Sequence, residues 1–274
     1  LRKASKTSSN SGKYILAWTT TPWTLVANLW LAVWENVTYV ELLDKKTWET
    51  YILAKSRIWG YYKSEEDYQI VREYPWSCLV WLKYEPLYED FVTLDNLWNL
   101  PMWQKIWKNA FSVVLWHHVT DESWTWIVHI APAYWEDDYK IWKEKDLWFV
   151  AHIDDNGYTE NLLENNWTWV FDFNEMAIET MKKTWLSVKI DTIVHSYPHC
   201  WRTDIPLIYR AISAWYVKVE AIKDKMLKAN DNINWVPENL KYWRFWKWLE
   251  WARDWNISRN RYWGSALPVW QSED

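Results

Sequence analysis

The sequence predicts a mixed α/β chain, dominated by strands over residues 13–190 and mostly helical over 191–274, behind a flexible lead-in at 1–12. Three observations predict it. Short β-branched and aromatic runs, broken by polar turns, recur through the first part. After about residue 191, apolar side chains fall at helical spacing. The 274 residues, 50% hydrophobic and 24% charged, suffice to bury a core and exclude disordered and collagen-like classes.

Each element has its own justification. Residues 1–12 are Ser- and Lys-rich with no apolar run, so they read as a lead-in and not as a signal peptide. Strands are expected at 14–18, 38–43, 51–54, 68–72, 111–115 and 127–130. Helices are expected at 136–145 and 174–184, the second with Ala177, Ile178 and Met181 on one face. Residues 213–229 read as a long amphipathic helix with Val219, Ile222, Met226 and Ala229 in one stripe. Another helix is expected at 247–255, then a loop leading into a strand over 259–270. The change of character places a domain boundary near 190. No repeat of solenoid period is present.

The totals narrow the function classes. The net charge of −5 is not that of a generic nucleic-acid binder, so any RNA contact must come from a local patch or from shape. Cys78 and Cys200 form no disulfide framework and point to a reducing compartment. No apolar run approaches the roughly 20 residues that span a bilayer. A soluble cytoplasmic protein without membrane contact is expected. Two counts are anomalous: 30 Trp and only 4 Gly, where an ordinary composition of about 7% Gly gives roughly 19.

Two segments hold candidate chemistry. Thr19-Thr20-Thr21-Pro22-Trp23-Thr24-Leu25 follows an expected strand, and clustered hydroxyls there can bind sugar hydroxyls or position a water. The plainer reading is a strand end in which Thr is favoured by β-propensity. In the second segment, His129 sits on a strand that leads to Trp135-Glu136-Asp137-Asp138 at a helix start. That combination suits a polar pocket. Asp137 and Asp138 taken alone suit the helix N-terminus electrostatically, and His129 alone suits a hydrogen-bonded core.

Together these segments resemble the isoleucyl-tRNA synthetase family, in its inserted editing domain. Residues 17–25 match the family peptide Ala-Trp-Thr-Thr-Thr-Pro-Trp-Thr-Leu, and Asn28 matches its following Asn. Residues 124–138 match Gly-Thr-Gly-x-Val-His-x-Ala-Pro-x-x-Gly-x-Asp-Asp except at the glycines. Residues 195–202 match His-Ser-Tyr-Pro-His-Cys-Trp-Arg, and 234–237, 243–246 and 252–264 match later motifs in the family's order. The Thr-Thr-Thr-Pro-Trp form is that of the isoleucyl branch; leucyl and valyl relatives carry an Arg after the threonines and an acid after the proline.

The resemblance implies a β-barrel-rich editing domain with peripheral helices over 13–190. Over 191–274 it implies a connection and part of a Rossmann-type class I catalytic domain. The implied activity is hydrolysis, by direct water attack, of valine misattached to the isoleucine tRNA. Isoleucine and valine differ by one methylene, worth only about 1–3 kcal/mol, a discrimination for which this family is the standard example. Carried over, Asp138 binds the α-ammonium of the valine, with Asp137 beside it. Thr20, Thr21 and Thr24, with Asn28, hold the terminal adenosine and order the water, and Thr19 and Trp23 belong to the substrate-binding residues. His129 lines the pocket and closes it to isoleucine or contacts the substrate. Thr20, Thr21, His129 and Asp138 are the catalytic set. No cofactor or metal is implied for editing; ATP and Mg belong to the full-length parent. The implied partners are the acceptor end of isoleucine tRNA and the rest of a bacterial synthetase chain.

Some features depart from the pattern. Val26 replaces a proline, and Cys200 is the lone survivor of a Cys-x-x-Cys, which cannot hold zinc by itself. No His-x-Gly-His is present, and Lys3-Ala4-Ser5-Lys6-Thr7 resembles the synthetase Lys-Met-Ser-Lys-Ser loop only by chance, being in the wrong order. Trp124, Trp126, Trp135, Trp243 and Trp246 stand at motif glycines. Trp34, Trp116, Trp148, Trp167, Trp185 and Trp251 sit where glycine reads naturally. Trp18, Trp23, Trp201, Trp215, Trp235, Trp248, Trp255, Trp263 and Trp270 read as true tryptophans. A gene that reads UGA as glycine, translated as though UGA meant tryptophan, gives this pattern; the rival account is a deliberate or natural Gly-to-Trp replacement. The competing functional readings are an aromatic-rich RNA- or sugar-binding module without catalysis, and an inactive remnant.

Overall fold

The structure, a computed structural model, describes residues 2–6 (backbone only), 12–88, 110–117, 127–145, 149–160, 162, 166–192, 194–260, 264–270 and 272. The chain divides into two compact units, Leu1–Ala211 and Ile212–Asp274.

In the first unit, β1 (Arg2–Lys6) and β2 (Lys13–Ala17) pair antiparallel. A 3-10 turn over Pro22–Ala27 follows, then β3 (Trp30–Val33), β4 (Thr38–Asp44), β5 (Thr50–Ala54) and β6 (Tyr68–Pro75). Later come β7 (Ser112–Leu115), β8 (Val128–Ile130), helix α1 (Glu136–Lys145) and helix α2 (Val170–Lys183). One sheet has the order β1-β2-β5-β4-β6 and the other β7-β3-β8. A bridge between Trp18 and Val128 joins the end of β2 to β8.

Burial explains the strand patterns. Successive side chains of a strand face opposite sides. Ile15, Ala17, Tyr39, Ile52 and Ala54 enter one core with the β3 and β7 residues, while Leu16, Val40, Leu42 and Leu53 enter another. Strand β3 is buried along its whole length, packed on both faces, and so reads as an unbroken apolar run. Helix α2 buries Val170, Phe173, Ala177 and Met181, its helical stripe. A third cluster puts Val170 and Phe173 with Trp23, Val26 and Ala27 of the 3-10 turn and with Ala131, Ala133 and Tyr134.

The second unit contains β9 (Tyr216–Val217), α3 (Val219–Asp231), a π-helical turn at Leu240–Phe245, α4 (Trp246–Trp251) and β10 (Trp255–Asn256). β9 and β10 pair antiparallel.

Several expectations need correction. Among the described residues the sheets are open, not a closed barrel: β1 and β6 are free ends of the five-stranded sheet. The lead-in holds a strand, β1, because its backbone pairs with β2. β3 was not anticipated. α2 starts at Val170, ahead of 174, because its first apolar residue already packs in the core. The helix expected from 213 starts at Val219, since Tyr216 and Val217 pair with β10 instead. The helix expected to reach 255 ends at Trp251 for the same reason. No strand forms among the described residues of 259–270, and no Rossmann-type parallel sheet appears in this unit among the described residues. The compact division falls at 211. Segment 209–211 packs on the first unit: the Ala211 N–H donates to Ala133 O at 2.7 Å, Arg210 pairs with Asp155, and Tyr209 stacks on Trp135.

Tryptophan occupies strained backbone. Trp48, Trp81, Trp167 and Trp185 hold left-handed φ values of 59°, 66°, 62° and 56°, a region costly for any residue with a Cβ. All four indoles are exposed. Trp185 follows the last turn of α2. Its N–H donates to Lys182 O at 3.3 Å, and the Leu186 N–H donates to Met181 O at 3.0 Å. That pair of bonds is the Schellman motif, whose left-handed position glycine normally fills.

Candidate active site

β2 delivers the threonine segment to the edge of the first unit, where Pro22 at the first position of the 3-10 turn bends the chain back. The Thr21 N–H donates to Thr19 Oγ1 at 3.0 Å, so a hydroxyl closes the turn. Thr24 Oγ1 donates to Thr21 O at 2.8 Å and lies 3.1 Å from Thr21 Oγ1. Thr19 and Thr21 are half-buried, Thr20 is exposed and Thr24 is fully buried.

His129, on β8, is buried against this turn. Its Nε2 lies 3.2 Å from Thr24 Oγ1, and its Nδ1 lies 2.7 Å from Asn28 Nδ2. Asn28 Nδ2 also donates to Trp30 O at 2.9 Å, and Asn28 Oδ1 accepts from the Tyr84 hydroxyl at 2.8 Å. Both amide hydrogens of Asn28 are thus used inside the fold.

Asp138 projects from the first turn of α1, and its Oδ2 accepts the Ala131 N–H at 2.7 Å. The bond closes the loop between β8 and α1. The carboxyl is only 7% exposed. Burial raises its pKa to about 7, opposed by the Ala131 hydrogen bond and helped by the nearby charge of Asp137. No cationic side chain pairs with it among the described residues.

These residues meet on one open cleft of about 250 Å³. Thr19, Thr20, Thr21, His129, Asp137 and Asp138 all line it, together with Trp18, Trp116 and Trp135. The structure therefore brings together six of the nine residues expected at the site. Trp23, Thr24 and Asn28 do not line the cleft. Trp23 is buried edge-on against Tyr134, at a centroid distance of 4.7 Å, and its carbonyl lies 3.0 Å from His152 Nε2. Asp137 is exposed and pairs with Lys140 at 2.9 Å. Trp124 and Trp126, expected beside the pocket, lie outside the described residues.

Sequence reasoning missed Tyr84, Tyr134 and His152. His152 is fully buried, its N–H donates to the Tyr134 hydroxyl at 2.8 Å, and its Nδ1 lies 2.9 Å from that hydroxyl. Burial lowers its pKa to about 3, so it is a neutral brace for the 3-10 turn. Among the described residues, no group of three His, Cys, Asp or Glu side chains could hold a metal ion, and no helix is long and apolar enough to cross a membrane. The cysteines Cys78 and Cys200 are free thiols.

Residues 5–274 match the family described as tRNA synthetases class I (I, L, M and V). The isoleucine–tRNA ligase of Chlamydia abortus is 40% identical over 95% of this chain and 24% of its own length. That of Rickettsia felis is 41% identical over 100% of this chain and 24% of its own length. The chain thus spans about a quarter of the length of these curated relatives. Among solved structures, GlLeuRS-CP1 aligns at a TM-score of 0.48 and 14% identity, over 68% of this chain and 84% of its own, too loose a likeness to argue from.

Proposed function

This chain belongs to the class I tRNA synthetase family, and on that footing we propose that its larger unit is the editing domain of an isoleucine–tRNA ligase. Its reaction is removal of valine misattached to the isoleucine tRNA, by direct attack of water. The partners are the acceptor end of that tRNA and the rest of a synthetase chain, in a bacterial cytoplasm.

The observation that carries the reading is Asp138. A carboxyl buried in a cleft, with one N–H donor and no paired cation among the described residues, has its pKa lifted to about 7 by desolvation. An α-ammonium group placed in the cleft supplies the missing counter-charge and lowers that pKa again. The cleft also offers the hydroxyls of Thr19, Thr20 and Thr21 to a ribose or a water. His129 shapes the cleft. Its Nδ1 accepts from Asn28, so it is read as a positioning and size-limiting group and not as a base. Trp23, Thr24 and Asn28 support the cleft without lining it. The chemistry needs only an oriented water and an ester bound in place.

ATP and Mg are assigned to the full-length parent. The segment that resembles the synthetase signature loop contributes Lys3–Lys6 to a paired strand, β1, instead of a free phosphate-binding loop.

The same reading extends to the tryptophans: those at left-handed backbone are glycine in the protein as the cell makes it. Trp48, Trp81, Trp167 and Trp185 support it by their φ values, and Trp116 and Trp135 by lining the cleft. Glycine at 116 and 135 widens the cleft for a tRNA end.

Replacing Asp138 with Ala tests the function. Release of valine from misacylated isoleucine tRNA should fall by at least a hundredfold, with the far-UV circular dichroism unchanged. An unaltered rate removes Asp138 from the site and the reading with it.

A further inference from the structure

We propose that Tyr84 is a positioning residue for this cleft: together with Trp30 O, its hydroxyl holds the Asn28 amide in the orientation that decides which nitrogen of His129 carries the proton, and with it the direction of the Thr24 and Thr21 hydroxyls. The geometry stands by itself. Its consequence for rate rests on the editing reading above.

Trp30 O can only accept, so the Asn28 amide nitrogen faces it, at 2.9 Å. The second hydrogen on that nitrogen points to His129 Nδ1 at 2.7 Å, so Nδ1 accepts. The Tyr84 hydroxyl donates to Asn28 Oδ1 at 2.8 Å and holds the amide from its other side. A rotated amide would set its oxygen against Trp30 O. With Nδ1 accepting, the neutral ring carries its proton on Nε2 and donates it to Thr24 Oγ1 at 3.2 Å. Thr24 donates to Thr21 O at 2.8 Å and accepts the Thr21 hydroxyl at 3.1 Å. The oxygen of Thr21, on the cleft wall, then presents an acceptor. A water held there donates to Thr21 and turns a lone pair outward, toward the ester of a bound substrate.

Tyr84 is built to be rigid. It is 3% exposed. Its N–H donates to Phe111 O at 2.8 Å, and its ring lies edge-on to Phe111 at 6.0 Å. Burial pushes its pKa well above the ordinary tyrosine value, so the hydroxyl remains a donor at every working pH. Phenylalanine would fill the same space; what tyrosine adds is the one proton given to Asn28.

The test reads the tautomer directly, by long-range ¹⁵N–¹H correlation in the chain labelled at histidine. The His129 signal is assigned by its loss in His129→Gln. The unsubstituted chain should show Nε2 protonated and Nδ1 bare. Tyr84→Phe should populate the Nδ1-protonated form and lower kcat for valine release about tenfold with KM little changed, the size expected for one unsatisfied buried acceptor. Asn28→Asp, whose carboxylate donates nothing to Nδ1, should move the proton to Nδ1 and decides the matter if Tyr84→Phe folds poorly. An unchanged tautomer in a folded Tyr84→Phe overturns the proposal, whatever the rates do; where that variant does not fold, an unchanged tautomer in Asn28→Asp overturns it. A shifted tautomer with an unchanged rate in an active chain also overturns it. A shifted tautomer in a chain that never releases valine upholds the tautomer lock and overturns the editing reading.

Discussion

Two buried titratable side chains, 14 positions apart in number and on opposite sides of the threonine turn, pull stability in opposite directions with pH. His152 is held near a pKa of about 3, below its unfolded value of about 6.5, so the folded chain binds fewer protons. Its contribution is full above about pH 6.5 and is lost as pH falls toward 3. Asp138 is held near a pKa of about 7, above its unfolded value of about 3.9, so the folded chain binds more protons. Its contribution grows as pH falls from 7 to about 4. Each shift, at about three units or more, is on the order of 4 kcal/mol. Between about pH 4 and 6.5 the two offset each other. Asp138→Asn keeps an oxygen for the Ala131 N–H but removes the titration. Its stability in urea should therefore fall more steeply on acidification from pH 6.5 to 4 than that of the unsubstituted chain. Parallel curves would show that Asp138 titrates normally. Carboxylates held low by hydrogen bonds, such as Glu41 and Asp44, are common to both chains and cancel in the comparison. The acid and the threonines of this site were legible because they sit in contiguous motifs. Tyr84 and His152 were not: their partners lie 56 and 129 residues away, and a buried Tyr or His in isolation looks like any core residue.

At the scale of elements, local pattern predicted what local chemistry decides. Strands β4, β5 and β6 and helix α1 fall where alternation and spacing place them. β3 did not show, because burial on both faces erases the alternation that marks a strand. β1 did not show, because a Lys- and Ser-bearing strand is specified by its partner and not by its own side chains. The C-terminus of α2 is the clearest case of pattern and residue in conflict. Its Schellman bonds are in place around Trp185 at φ 56°, yet the residue carries a Cβ where glycine belongs. A left-handed non-glycine costs about 1–2 kcal/mol, and Trp48, Trp81 and Trp167 repeat that cost. The codons decide whether the cell bears it. Positions 48, 81, 167 and 185 should read UGA, with UGG at Trp23 and Trp255; UGG throughout would make the tryptophans real and the strain with them.

At the scale of the molecule, the first unit has the coherence of a site-bearing domain. One sheet and the 3-10 turn carry the threonines, a second sheet carries His129, and α1 carries Asp138 to the same cleft. The barrel and the Rossmann-type return were expectations borrowed from resemblance, and neither appears among the described residues. The central claim is selectivity: a cleft that admits valine on the isoleucine tRNA and turns isoleucine away. The most direct measurement is single-turnover release of amino acid from isoleucine tRNA charged with valine or with isoleucine, using this chain and its Asp138→Ala variant as the blank. Valine release well above the blank, with isoleucine left attached, is the predicted result. Equal release of both amino acids, or none above the blank, would contradict it.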